Sequence, residues 1–506
     1  MVVERMVKKG VVILAALILG VSSAMAANVE TMGIGAMNTA VAGAVAAYCD
    51  NVYAAYYNPA GLTLIEKPTV STGALYYNAK VKISDWDYKK RAGSNTRLDG
   101  GPTSFESDTM NLLVPDMGFS VPVSKKLTFG MAAYAPYGLH VTWEKDPSKN
   151  PGAAYAWESK YGRFAVTPTL AYKISDKLSV GVGVSLGRSE SKAGKTVTYQ
   201  EGLVAKSTSA ADVEAAIQGA VRYAGSKAGA TKLVGMATLL NGAHLTMDAA
   251  DDFNHSFNVG MMYRPVETFS FGLTFRSRTE ARFEGDVNIT GASGGAANYK
   301  GEVEMDYDHP EQLQAGVRWF ATPKLSVEFD TTWTGWSTNK KQVEKVSLHN
   351  VVAPVAGDKG GFETVVIDGV EHVKMAPTDM AMSFTHDRNW KDTFSYRLGV
   401  IYEATPTLTL RGGYAYDPSP VPDATFDLGW PDTDRNMFSF GLGWKISDTW
   451  TLDAVLQHVR STKKRAVSGS KELDPIYSNA FASPTGVSLK DQGILWGAGV
   501  TLTYSF

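Results

Sequence analysis

Alternation of apolar and polar side chains dominates the chain from Thr69 to Phe506. Phe129, Met131, Ala133, Ala135, Tyr137, Leu139, Val141 and Trp143 are apolar without exception, and Thr128, Gly130, Gly138, His140 and Thr142 lie between them. Phe164, Val166, Leu170, Tyr172 and Ile174 alternate with Arg163, Ala165, Thr167, Thr169 and Lys173; Phe269, Phe271, Leu273 and Phe275 alternate with Ser270, Gly272, Thr274 and Arg276. The same period of two recurs over 253–264, 325–333 and 438–446, and it predicts β-strands with one apolar face each. Short polar turns separate some runs, at 122–127, 174–178, 265–269, 322–325, 405–408 and 446–450. Longer polar stretches separate the others, at 84–112, 144–160, 192–252, 286–300, 346–380, 417–435 and 467–494. Six short turns and seven long loops join fourteen strands. An even number of strands with both chain ends on the short-turn side is the pattern of an antiparallel transmembrane barrel.

A β-sandwich alternates in the same way, so the pattern needs support from elsewhere. Arg5, Lys8 and Lys9 precede the short apolar run 11–21, and Ala24-Met25-Ala26 has the small-x-small form of a signal peptidase site. Residues 1–26 therefore read as a secretory signal. Trp143, Trp319, Trp333, Trp444, Trp450 and Trp496 fall near strand ends, as in the aromatic girdles of outer-membrane barrels. Together these predict lipid outside and charge inside. A charge facing lipid at midplane would cost about 2–4 kcal/mol. Arg163, Arg276, Arg278, Arg318, Glu328, Asp330, Arg397, Arg411 and Asp453 are accordingly expected to form a lumen network. The last strand carries Trp496, Ala498, Val500, Leu502, Tyr504 and Phe506 on one face, the ending through which the barrel-assembly machinery is expected to engage the chain.

The composition narrows the chemistry. There are 49 Lys and Arg against 51 Asp and Glu, so no basic excess favours nucleic acid. One Cys excludes a disulfide framework, and none of the 8 His has another at helical ligand spacing. No metal and no cofactor are expected. Gly183-Val184-Ser185-Leu186-Gly187 matches G-x-S-x-G, but it lies inside a strand alternation where a nucleophile elbow needs a strand–turn–helix. Catalysis is not expected.

Two regions break the strand pattern. Residues 27–66 are rich in small side chains and end in Tyr53-Ala54-Ala55-Tyr56-Tyr57-Asn58-Pro59-Ala60-Gly61-Leu62. Such a segment can pack inside a fourteen-stranded lumen and block it. In the third long loop, Val213, Ile217, Val221, Leu233, Met236 and Leu240 recur at mostly helical spacing. This apolar face either packs on neighbouring loops or forms an outer groove for a greasy ligand.

The run Gly33-x-Gly35, Ala42-Gly43-Ala44-Val45-Ala46, Asp50 and Tyr57-Asn58-Pro59-Ala60-Gly61-Leu62 resembles the hatch of the FadL-type outer-membrane transporters. Ala135-Pro136-Tyr137-Gly138-Leu139 followed by Trp143 is similar to that family's third strand. The resemblance covers the whole mature chain. Cys49 stands where relatives often have an acidic residue, and 27–31 has no obvious counterpart. The resemblance implies an all-β fold: a 14-stranded antiparallel transmembrane barrel (67–506), an N-terminal hatch or plug (27–66) and helices in a long extracellular loop. It implies a hatch built on Asn58, Pro59, Ala60 and Gly61, and a lateral opening at Pro136 and Gly138. The expected function is passive uptake of long-chain fatty acids or aromatic hydrocarbons across the Gram-negative outer membrane, by a monomer surrounded by lipid and lipopolysaccharide. Leaving an apolar site for water costs about 0.8 kcal/mol per CH₂, which favours lateral exit into the bilayer over a wet pore. Proline lacks the ladder N–H and glycine lacks a side chain, so the strand can bend there, although an ordinary bulge has the same signature. A surface adhesin or receptor barrel without transport remains the alternative, and a lipase a distant third.

Overall fold

A computed structural model describes residues 32–89, 101–146, 148–197, 204–205, 209–224, 227–295, 297–355, 363–367, 370–473 and 486–506. The expected signal segment 1–26 and the chain tip 27–31 lie outside the described residues. The fourteen barrel strands are β1 (Thr69–Lys89), β2 (Met110–Pro122), β3 (Leu127–Thr142), β4 (Glu158–Ser175), β5 (Leu178–Thr196), β6 (His244–Val266), β7 (Phe269–Arg276, continued by Thr279–Gly291), β8 (Ala297–His309, then Gln312–Thr322), β9 (Leu325–Thr334, then Lys341–Pro354), β10 (Met375–Asp387, then Thr393–Thr405), β11 (Leu408–Asp417), β12 (Arg435–Lys445), β13 (Trp450–Ser461, then Arg465–Ser468) and β14 (Gly486–Ser505). Each pairs antiparallel with its neighbours. The sheet closes where β14 meets β1, from Thr69 opposite Ser505 to Lys89 opposite Gly486. All six short turns fall where the polar breaks placed them. Several strands outrun the expected loop edges. The outer part of β9 continues to Pro354 because Val346, Leu348 and Val351 keep one buried face beyond the membrane.

Phe129, Phe269, Phe271, Phe329, Phe438, Phe440 and Leu456 point to the lipid side, while Arg163, Arg318, Glu328, Asp330, Arg411 and Asp453 are buried in the lumen. Trp496 is 58% exposed, and Val500 follows it on the same outer face down to Tyr504 and Phe506. The ten residues from Trp496 to Phe506 run about 34 Å along a strand tilted by about 40°, a rise of about 26 Å, which matches an apolar band about 25 Å tall. Two expectations about faces are corrected. Arg278 lies on the outer face, paired with Glu311 at 3.1 Å, because the break at 277–278 shifts β7 by one position. The apolar row of β3 is not one face: Phe129 and Met131 point outward, whereas Tyr137, Val141 and Trp143 are buried inside. The cause is a bulge. Tyr134 opposes Ala165 and Tyr137 opposes Arg163, three steps against two, and one extra residue inverts every side chain beyond it.

Inside the wall lie residues 32–66, with short helices α1 (Ala36–Ala40) and α2 (Ala54–Tyr57) and a 3₁₀ turn Pro59–Leu64. The loop 418–434 also folds inward, burying Phe426 and Leu428. Arg388 holds Asp427 at 2.7 Å, and Arg465 reaches Asp423 at 2.7 Å and the Val421 carbonyl at 2.6 Å. The third long loop forms helices α3 (Ala210–Ala224) and α4 (Lys227–Leu240).

Candidate functional site

The inner segment is fixed to the wall chiefly through its own backbone. Buried Asp330 accepts the N–H groups of Val45 (3.0 Å) and Ala46 (2.9 Å), and Glu328 accepts that of Ala47 (2.6 Å) while pairing with Arg318 at 2.5 Å. Ser270 donates to the Ala47 carbonyl at 2.6 Å, Asn258 to Ala55 at 2.9 Å, and Thr501 accepts from the Ala36 N–H at 2.9 Å. The wall makes room with inward glycines. A Cβ at Gly272 would stand 1.8 Å from the Ala46 oxygen, and one at Gly260 would stand 2.1 Å from Asn58 Oδ1.

Asn58, Pro59, Ala60 and Gly61 come together as one packed turn. Asn58 Oδ1 caps it by accepting from Ala60 N–H at 3.1 Å, and its Nδ2 donates to the carbonyls of Ala46 (2.6 Å) and of Met261 in β6 (3.1 Å). Pro59 rests against Gly181, and Gly61 lies so near Cys49 that a Cβ would be 2.2 Å from its carbonyl oxygen. The motif is a backbone-packing device, in which a larger residue at Ala60 or Gly61 has no space.

Pro136 and Gly138 stand at a break in the wall. The ladder between β2 and β3 runs from Pro122–Thr128 to Met117–Ala133 and goes no further. At the outer rim the Asp108 N–H, just before β2, donates to the Thr142 carbonyl at 2.9 Å. Between these closures β2 remains paired to β1 as far as Met110, and β3 to β4 throughout. A window therefore separates 110–116 from 134–141. Met110, Leu112 and Val114 line its β2 side from within, and Tyr137 and Val141 its β3 side. Gly138 opposes Gly162, on the register that faces lipid. Gly138 is interleaved with the apolar row of β3, so plain alternation would place it in the lumen; the bulge that turns Tyr137 inward turns it outward.

The inner segment touches both edges of this window. Tyr53 hydroxyl donates to Asp116 on β2, and the Tyr56 ring packs edge-on to Tyr134 of β3 at 4.9 Å. Tyr56 also borders a lumen crevice lined by Ile34, Gly43, Tyr57, Gln314, Arg276 and Arg397; the Arg276 guanidinium lies 4.0 Å from the Tyr56 ring centre. Above the window is an aromatic chamber. His309 stacks on Tyr137 at 4.0 Å and meets the Tyr161 hydroxyl at 2.6 Å, and Trp430 of the inward loop stacks on Tyr307 at 5.6 Å. Arg163, opposite Tyr137, is 3% exposed. It donates to Asn254 (2.7 Å) and Ser185 (3.1 Å), both neutral, and its Nη2 has no hydrogen-bond partner among the described residues. Ser185 of the G-x-S-x-G match is thus a strand residue that receives this guanidinium. By contrast Arg318, Arg388, Arg411 and Arg435 each hold a carboxylate.

The candidate outer groove takes another form. Val213 and Ile217 are buried against Ala216, Ala220, Ala230, Val234 and Ala237 of the same helical hairpin, with Val373 closing the cluster. Val221 is half-buried there, and Leu240 joins the main core. The side chains of Leu233 and Met236 lie outside the described residues. Val213, Ile217 and Val221 are covered by the partner helix and Leu240 by the main core, so these four do not line an open groove. The reading from sequence missed Tyr53, Asp116, the partnerless edge of Arg163 and the inward course of 418–434.

Residues 15–506 match the family described as outer membrane protein transport protein (OMPP1/FadL/TodX). The chain is 21% identical over 461 residues to the long-chain fatty acid transport protein of Escherichia coli O6:H1, covering 89% of this chain and 87% of that one. It is 24% identical to outer membrane protein P1 of Haemophilus influenzae, covering 86% and 85%. Among solved structures, a Pseudomonas aeruginosa FadL homologue superposes with a TM-score of 0.67 at 17% identity, covering 95% of this chain and all of that one. The Ralstonia pickettii toluene transporter TbuX gives 0.60 at 17% identity, covering 94% and 99%. The chain belongs to the OMPP1/FadL/TodX family of Gram-negative outer-membrane β-barrels, which transport hydrophobic molecules.

Proposed function

We propose that the protein carries hydrophobic carboxylates, of the long-chain fatty acid class, from the lumen to the bilayer through the window between β2 and β3, with the hatch 32–66 as the gate. The observation that carries this is the window itself, with both of its edges held by hatch residues Tyr53 and Tyr56. A gate needs such a link, since a shift of α2 then changes both edges together. The apolar lining of Met110, Leu112, Val114 and Val141 supports a path on which an acyl chain never meets bulk water. Arg163 supports the carboxylate. A buried guanidinium with only neutral partners is costly, and a bidentate carboxylate would satisfy the Nη2 edge.

The relatives' names support both substrate classes. One is a long-chain fatty acid transport protein and another a toluene transporter. The aromatic chamber of Tyr137, Tyr161, Tyr307 and Trp430 favours the arene as a second reading. Two variants separate the possibilities. Deleting Pro136 removes the one extra residue of the bulge while Tyr137, Val141 and Trp143 keep their inward face, so β3 can pair on regularly with β2. Uptake of radiolabelled oleate and of radiolabelled toluene should both fall at matched surface levels. Arg163→Met should lower oleate uptake and spare toluene. Normal uptake of both by the Pro136 deletion would refute lateral exit at this strand, and equal loss of both in Arg163→Met would refute carboxylate recognition.

A further inference from the structure

We propose that the outer face of β13, β14 and β1, just above the aromatic belt, is a docking site for the phosphate groups of lipopolysaccharide in the outer leaflet. Ile494 on β14 stands opposite Arg460 of β13 on one side and Lys80 of β1 on the other. With strands about 4.8 Å apart, two cations flank one apolar side chain about 10 Å apart in a single row across the wall. One row further out Lys82 stands opposite Gln492, and beyond it comes Lys490; Lys464 lies in the turn that joins the two parts of β13.

Part of the positive charge is already used. Glu106 holds Lys80 at 2.5 Å and Lys82 at 2.9 Å, and Asp85 holds Lys490 at 2.6 Å. Arg460 and Lys464 make no ion pair among the described residues. The exposed Arg460 guanidinium lies 5.7 Å from the Phe438 ring centre, within reach of a cation–π contact.

Depth and shape select the partner. Trp496 is two residues below Ile494 on β14, so the cations begin about 7 Å along the tilted strand, and about 5 Å in height, above the belt and stand at headgroup level. Below them Phe438 and Leu456 give an apolar surface for acyl chains. A phosphorylated, acylated glycolipid has this order of groups, whereas a free anion or a soluble acidic protein uses only the upper half. The opposite wall has the opposite sign. Outward positions of β7 and β8 carry Glu280, Glu284, Asp286, Glu302, Glu304 and Asp306 around Arg282. A formal net charge of −2 thus conceals a basic and an acidic side, and phosphate is favoured on only one. The inference rests on the outer-membrane location alone and is independent of the transport path.

The test uses the full-length protein in detergent, titrated with purified lipid A carrying its phosphates and with the same lipid dephosphorylated, and bound lipid is counted by native mass spectrometry. Arg460→Ala with Lys464→Ala should weaken binding of the phosphorylated lipid about 30-fold, two charges each contributing about a factor of five to six near an anionic surface. Lys300→Ala on the acidic wall should leave binding unchanged. Dephosphorylated lipid should bind the parent protein as weakly as phosphorylated lipid binds the double variant, and inorganic phosphate at equal concentration should not displace the lipid. Full binding by the double variant, indifference of the parent protein to the phosphates, or displacement by inorganic phosphate would each overturn the proposal. Arg460→Lys, with the charge kept and an unaltered heat shift on gels, should retain binding. Loss of binding in that folded variant would also overturn it, since a point charge suffices for phosphate.

Discussion

Asp330 is the place to loosen the inner segment 32–66 without disturbing the wall. Its carboxylate is buried and accepts two backbone N–H groups of the inner segment, Val45 at 3.0 Å and Ala46 at 2.9 Å, together with Gln314 Nε2 at 2.8 Å, all on Oδ2. Its Oδ1 lies over Gly316, where a Cβ would stand at 2.0 Å. Asp330→Asn keeps shape and volume, and the amide oxygen can still accept from Val45 and Ala46. What is lost is the charge. A hydrogen bond to an ionised acceptor contributes about 1.5–3 kcal/mol and a neutral one about 0.5–1.5, so each of the two contacts to the inner segment weakens by about 1 kcal/mol. A total of about 2 kcal/mol raises the population of the released segment about 30-fold. Hydrogen–deuterium exchange reads this directly, because local opening sets the exchange rate of such amides. Exchange at 44–48 should quicken by that factor, while β9 and β8 keep their protection. Unchanged exchange at Val45 and Ala46, or faster exchange spread evenly over the barrel, would refute the reasoning.

Gly272→Val should go further, since its Cβ would overlap the Ala46 carbonyl oxygen; the expected result is a folded barrel with raised ion conductance in planar bilayers. Tyr53→Phe removes the hydroxyl that reaches Asp116. It should cost about 1–3 kcal/mol at the β2 edge, seen as a lower midpoint of heat-modifiability on gels. Outside the membrane, burial disfavours the His386 cation, but ion pairs with Glu344 (3.5 Å) and Glu472 (2.8 Å) outweigh it and raise the pKa of the imidazole. The stabilisation is therefore complete below the ordinary value of about 6.5 and is lost as pH rises through the raised one. Trypsin cleavage at Lys471 should increase over that alkaline range, and His386→Gln should remove the pH dependence.

Strand number, turn positions and the lipid face were legible because period-two patterning and short polar turns are local signals. The face reversal in β3 was not. Phe129 and Trp143 are both odd-numbered and apolar, and nothing in the alternation reports that one extra residue at 135–136 lies between them and sends them to opposite sides. Tyr137 and Trp143 satisfy either solvent, being apolar enough for lipid and for an aromatic chamber. The Asn58–Gly61 turn stood out by its composition, yet its meaning lies in wall glycines such as Gly260 and Gly272, which are remote in sequence and unremarkable among 49. The helical face of Val213 and Ile217 was legible as apolar, but periodicity cannot say whether a ligand or a second helix covers it. The inward course of 418–434 depends on Arg388 and Arg465, side chains that sequence position alone does not connect to Asp427 and Asp423.

The seam between β1 and β14 sets the order in which the molecule can be built. It joins the strands farthest apart in the chain, and Phe506 N–H ends on the Pro68 carbonyl at 3.0 Å, one residue before β1 begins. A pairing that must bring together two ends of a long chain bears the largest loop-closure cost and forms late. The inner segment is tethered directly to β1 and is enclosed once that seam zips. Its docking on Asp330, Glu328 and Asn258 is therefore bound up with the final step of assembly, and a barrel whose seam closes early traps an empty lumen that the segment can re-enter only through an end.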